Sequence, residues 1–172
     1  MKKYEFTGET KQVGMFGNIT FKRIKAVVAF GIVEVGELGG WIEKEKNLSQ
    51  EGKSWVCGNA KVCGNAEVYG DAKVCGDAKV SSANHILVIG AIGSRNDFTT
   101  FFRDKDNNIC VKCGCFLGTI DDFKTRAEYV HRDTKNALVY LKAIELAKLQ
   151  IELTTAESGK EIEDGITVDT SK

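Results

Sequence analysis

Residues Val56 to Ala91 read VCGNAK-VCGNAE-VYGDAK-VCGDAK-VSSANH-ILVIGA, a six-residue unit that repeats cleanly and then decays. An aliphatic residue returns at Val56, Val62, Val68, Val74, Val80 and Ile86. Alanine follows four places later at Ala60, Ala66, Ala72 and Ala78. A hexapeptide period marks a parallel β-helix, because one unit cannot bury its apolar face alone and must stack on its neighbours. Side chains alternate across a strand, so Ala60 and Val62 face inward while Lys61 and Cys63 face outward. Gly64-Asn65 and Gly70-Asp71 supply the turns, since Gly and Asn accept positive φ.

Three units make one coil, so residues eighteen apart stack about 4.8 Å from each other. Cys57 then lies on Cys75, Lys61 on Lys79 and Trp55 on Lys73. The last pair has the makings of a cation–π contact. Cys57 and Cys75 are expected to stay reduced, because in-register neighbouring strands rarely offer good disulfide geometry. Upstream, Leu38-Gly39-Gly40-Trp41-Ile42 and Leu48 read as an earlier coil with a small insertion around Ser49 to Lys53.

The LGGWIE run at 38–43, Asn47-Leu48-Ser49 and the GNA repeats carry a resemblance. With Ala29-Phe30-Gly31, they make the span Ile24 to Val80 similar to the amino-terminal part of a family of uncharacterised β-helix proteins from enteric bacteria, phages and prophages. The unit also resembles the left-handed hexapeptide β-helix. Its second position, usually small or acidic there, departs here with Cys57, Cys63, Tyr69 and Cys75. The resemblance implies a short left-handed parallel β-helix and carries no activity. By analogy with small phage proteins, it implies a non-catalytic protein that counters host defence in the cytoplasm of a bacterial host. Such a protein would sequester a nucleotide-like anion or block a host defence protein. A structural β-helix module is the third reading.

The 172 residues hold 24 basic and 24 acidic side chains. Zero net charge argues against partners captured by electrostatics alone, so neither nucleic acid nor a membrane surface is expected. No run of 18 apolar residues and no signal peptide is visible, and a soluble cytoplasmic chain is expected. The six cysteines then read as thiols or metal ligands.

Beyond Gly93 the period is lost. Phe98–Arg103 and Ile109–Phe116 read as the two strands of a hairpin around a turn at 104–108. Thr119 caps a helix to His131. Asp133 or Thr134 caps a second helix to about Leu153, with Ala137, Leu141, Ile144, Ala147 and Ile151 on one stripe. The expected class is mainly β with an α+β appendage of one hairpin and two helices. The segments are strands and a cap at 1–37, the hexapeptide β-helix at 38–92, the appendage at 93–153 and a polar, flexible tail at 154–172. The appendage is expected to cap the open carboxyl end of the β-helix. The outward row Cys57, Cys63, Tyr69 and Cys75, together with the second helix, predicts a dimer, trimer or higher homo-oligomer.

Four groups of residues suggest chemistry. Cys110, Cys113, Cys115 and His131 have zinc-ligand character. Strand parity puts Cys110 on the other face, however, and a second C-x2-C pair is missing, so no metal and no cofactor is expected. The run from His85 to Arg95 lacks G-x-G-x-x-G and is no dinucleotide fold. Its end can still present Gly93 and Ser94 N–H groups and the Arg95 guanidinium to an anion. Thr99, Thr100 and Lys112 are expected around that anion, with Tyr69 or Phe102 as a stacking face. His85 is the candidate base of an acyltransferase-like enzyme. Too few coils, no acidic partner and only two histidines argue for a non-enzyme instead.

Overall fold

A computed structural model describes residues 2–14 and 19–154. It is mainly β, with two helices at the carboxyl end. The periodic valines form short parallel ladders. β3 (Leu38–Ile42) pairs with β5 (Lys61–Val62), and β5 with β7 (Lys79–Val80), placing Ile42, Val62 and Val80 in register. β4 (Trp55–Val56) pairs with β6 (Lys73–Val74), and Leu48 bridges Val68. Val62 meets its partner eighteen residues on and Ile42 twenty on, so the first coil carries two extra residues between Leu48 and Val56. The aliphatic and alanine rows are sealed, with Val56, Val62, Val68, Val74 and Val80 all 0% exposed. At the turns, Gly58, Gly64, Gly70 and Gly76 have φ between 62° and 70°, where a side chain would be strained.

The amino end is covered by the antiparallel hairpin of β1 (Tyr4–Val13) and β2 (Ile19–Ala26), which joins β3. This gives the sheet β1-β2-β3-β5-β7. Trp55 turns under this cover, against Tyr4 and Phe30 at ring separations of 6.5 and 5.4 Å. The expected Trp55–Lys73 cation–π pair is therefore absent, although the two residues are in register. Outside the ladder, Phe21, Trp41 and Cys63 form a small core of their own.

The carboxyl end meets a four-stranded antiparallel sheet of β8 (Ile86–Ile92), β9 (Asp97–Arg103), β10 (Ile109–Cys113) and β11 (Phe116–Thr119), in order β11-β10-β9-β8. β9 is the shared wall. Phe102 belongs to the core of the coils, and Phe101, one residue earlier, to a second core under the helices. The Lys73 N–H donates to Thr100 Oγ1 at 3.1 Å and the Lys105 N–H to the Asp77 carbonyl at 3.0 Å, occupying backbone groups at the last coil. The expected second strand Ile109–Phe116 is in fact two strands, because Gly114 at φ +55° turns the chain before Phe116.

α1 (Ile120–His131) starts at Thr119, whose hydroxyl accepts the Asp122 N–H at 3.2 Å. α2 (Lys135–Gln150) begins after Thr134 and ends three residues short of Leu153. Of its expected stripe, Ala137, Ile144, Ala147 and the following Ile151 are buried and Leu141 is partly buried, with Tyr140 and Ala143 joining them. The expected flexible tail lies outside the described residues except for Thr154, whose N–H donates to Asn107 Oδ1 at 2.9 Å.

The cysteine expectations need correction. Cys57 and Cys75 are joined as a disulfide, with a Cα–Cα separation of 4.6 Å, inside the range a disulfide spans. The outward row is not an exposed apolar strip either. Cys63 and Cys75 are buried, and of the four only Tyr69 is largely open, at 69%. Exposed apolar side chains lie instead on the helices, at Tyr129, Val130, Leu138 and Leu149, and between β2 and β3, at Ile32 and Val35. No helix among the described residues is long and apolar enough to cross a membrane.

Candidate functional site

The turn between β8 and β9 carries Gly93, Ser94 and Arg95. Gly93, at φ +72°, lies directly on the Tyr140 ring, where a Cβ would collide with the phenol oxygen and Cζ. Contact with α2 thus requires glycine at this position. Ser94 and Arg95 then project into a groove of about 170 Å³ lined also by Cys113, Cys115, Phe116, Arg126, His131 and Tyr140. Gly114 keeps room for the Arg95 guanidinium, whose Nη1 lies 3.0 Å from where a Gly114 Cβ would sit.

Two residue sets that the sequence kept apart therefore converge. The anion-site candidates Ser94 and Arg95 share one groove with the metal-ligand candidates Cys113, Cys115 and His131. Cys110 is elsewhere. It pairs with Phe102 across the ladder, and its thiol is within 3.5 Å of Asp104 Oδ2. Burial and the Asp104 carboxylate push that thiol up to about 12, so it stays protonated. No group of three or more His, Cys, Asp or Glu suited to a metal ion occurs among the described residues.

The other expected ligand contacts do not join the groove, and strand parity is the reason. Thr100 and Lys112 are register partners, and so are Thr99 and Cys113 one residue further along. The two pairs must face opposite sides of the sheet. Thr100 faces the coils, fully committed to the Lys73 N–H and 1% exposed. Lys112 Nζ turns to the Gly114 carbonyl at 2.8 Å, and burial followed by Lys73 lowers its pKa. Thr99 is on the helix side but 0% exposed, donating to Cys113 Sγ at 3.3 Å beneath the groove floor. Phe102 is core at 1% exposed, and Tyr69 lines a different hollow with Asn65 and Val88.

The groove has its own rings. Tyr140 stacks at a tilt on His131, centroids 5.4 Å apart, and meets Phe123 edge-on at 5.3 Å. Arg126 lies 5.9 Å from the Phe116 centroid, a cation–π distance. Burial and Cys113 push the Tyr140 hydroxyl up to about 12 against the opposing pull of Arg95, so at neutral pH it is a neutral phenol. Among the described residues, neither Arg95 nor Arg126 has a carboxylate within 4.0 Å. Two guanidiniums without carboxylate partners, in a groove lined by aromatic rings, suit an oxyanion attached to a flat ring. The volume is below the roughly 300–1,000 Å³ of sites that enclose a whole ligand, so it fits the anionic end and leaves the rest outside. Arg126, Phe116 and Tyr140 escaped sequence reasoning, since nothing local to them signals proximity to residue 95.

His85, the candidate catalytic base, is 8% exposed, and its Nδ1 accepts the Ser81 N–H at 3.2 Å. Burial, then Arg103, lowers its pKa, with Glu152 opposing. It serves as a corner hydrogen-bonding group at the last coil.

No protein-family model matches the chain. The chain is similar to a protein of Escherichia coli (strain K12) described as uncharacterized acetyltransferase YdcK, 34% identical over 61 residues. The match covers 33% of this chain, and the chain spans only 19% of that protein's length. The similarity accords with a hexapeptide-repeat kinship for part of the chain.

Proposed function

We propose that this chain is a non-catalytic, self-assembling binding protein built on a short left-handed β-helix, and that it holds a nucleotide-like anion. The observation that carries the reading is a groove lined by two guanidiniums, Arg95 and Arg126, and by the rings of Phe116, His131 and Tyr140, with Arg126 over Phe116. In an infected bacterium such a protein would withdraw a nucleotide signal from host defence. A host-protein blocker would need no such groove. The test is calorimetric titration and thermal shift with mono-, di- and cyclic nucleotides. Arg95→Ala is expected to lose about 1.5–3 kcal/mol of affinity, the worth of a charge-assisted hydrogen bond. Its melting temperature should hardly move, because Arg95 is exposed. If no nucleotide of the panel gives heat or a thermal shift with the wild type, the reading is wrong.

The similarity to an uncharacterized acetyltransferase favours a second reading, acyl transfer. Against it stand the buried His85 and the small number of stacked coils. Turnover of acetyl-coenzyme A with a panel of amines separates the two: steady product formation that is lost in His85→Ala would establish the enzyme.

A further inference from the structure

A larger cleft, of about 460 Å³, shares no residue with the Arg95 groove. Its floor is the outer face of β5 and β7, and the β1–β2 hairpin overhangs it. We propose that this cleft is a second binding site, for a small amphipathic anion: a phosphate or carboxylate joined to an apolar ring or short chain.

The apolar half comes from the hairpin. Val13, Ile19 and Phe21 face Cys63, and Phe21 and Cys63 are the buried edge of the outer core with Trp41. Val13 remains 41% exposed, so among the described residues this wall is left open. The charged half comes from the ladder. Lys61 and Lys79 are register partners on adjacent parallel strands, a like-charge pair that repels. Among the described residues neither has a carboxylate within 4.0 Å. Two other charged groups line the cleft. Lys105 is paired with Asp106 at 2.8 Å, and Asp77 accepts from Asn59 Nδ2 at 3.3 Å. Arg103 lies behind, donating to Ser81 Oγ at 3.5 Å.

An oxyanion between the two ammoniums relieves their repulsion, and its apolar part covers Val13 and Ile19. The volume falls inside the roughly 300–1,000 Å³ typical of small-molecule sites. With this mixed lining, neither half is expected to suffice alone.

Calorimetry at low ionic strength with naphthyl phosphate, decanoate, inorganic phosphate and naphthol tests this. The two amphiphiles are expected to bind at least about tenfold more tightly than phosphate or naphthol. The double variant Lys61→Gln, Lys79→Gln should weaken them by about tenfold or more while melting at the wild-type temperature, and added salt should weaken them in the wild type. Arg95→Ala should leave them unchanged, which keeps this site separate from the nucleotide reading. The proposal is overturned if neither amphiphile binds, if naphthol or phosphate binds as tightly, if the double variant retains affinity, or if Arg95→Ala abolishes it.

Discussion

Gly64 and Gly70 occupy the same turn position of successive units and share φ +62°, yet they have different surroundings. A Cβ on Gly70 would meet nothing within 4 Å, whereas one on Gly64 would run into the Ser81 carbonyl of the next coil. Gly70→Ala should therefore cost only the left-handed backbone penalty, about 1–2 kcal/mol. Gly64→Ala should cost at least ~1 kcal/mol more, since the backbone above must shift. Urea titration of both variants checks it, and equal losses would deny the stacking of these turns. Lys3 offers a second residue-level test. Its ammonium is buried, donating to the Ser54 carbonyl at 2.8 Å and the Glu51 carbonyl at 3.2 Å. Burial lowers its pKa from 10.5 to about 8. Between those values the unfolded chain binds more protons than the folded one, so this site's contribution to stability rises with pH. Tyr4, raised to about 12, begins to subtract only above its ordinary value of 10.0. Comparing wild type with Lys3→Met from about pH 7 to 9.5 should show the wild type gaining relative stability, and a constant difference would refute the shift.

The ladders are the elements that the sequence made most legible. Because the period is six and the inward rows are uniform, the register of Val56 with Val74 and Val62 with Val80 could be counted from the residues alone. The period-two rule that separated Cys110 from Cys113 was equally sufficient to separate Thr100 from Thr99; a shell that included both was incompatible with one strand. What the period could not reveal is cover supplied from afar. Cys63 is outward by parity and buried all the same, because Phe21 on β2 and Trp41 on β3 close over it. Arg126 and Tyr140 reach Arg95 only through the docking of α1 and α2, a long-range event with no local signature. The Cys57–Cys75 bond, which general strand geometry disfavoured, ties β4 to β6 across an eighteen-residue span. Closing a loop of that size contributes about 3 kcal/mol by restricting the unfolded chain. Cys57→Ala, or reductant added to the wild type, should lower stability by about that much in urea titrations. Reaction of both thiols with a maleimide in unreduced, unfolded protein would show that the bond is absent.

At the scale of the whole molecule, two cores share the strand β9, with Phe102 given to one and Phe101 to the other. Much of the remaining apolar surface is on the helices, where Leu149 is 85% and Tyr129 81% exposed, with Ile32 and Val35 exposed between β2 and β3. Self-assembly is thus expected through α1 and α2 and not through the outward cysteines. Light scattering at micromolar concentration should report a mass above the 18.9 kDa of one chain, and Leu149→Glu should reduce it. A single species of one-chain mass in the wild type would remove self-assembly from the proposed function.

The contacts of β9 with the last coil have a consequence for how such a chain can change its length. Thr100 meets Lys73, Asp104 meets Ala78 and Lys105 meets Asp77, so the sheet is seated at one fixed angular position around the stack. Duplicating a single hexapeptide would advance that seat by one face in three and present β9 to the wrong side, breaking all three contacts together. Duplicating three would restore every one of them one storey higher. Growth and shrinkage of the repeat are therefore quantised in whole coils of eighteen residues, and the junction acts as a ratchet that tolerates added height but rejects rotation.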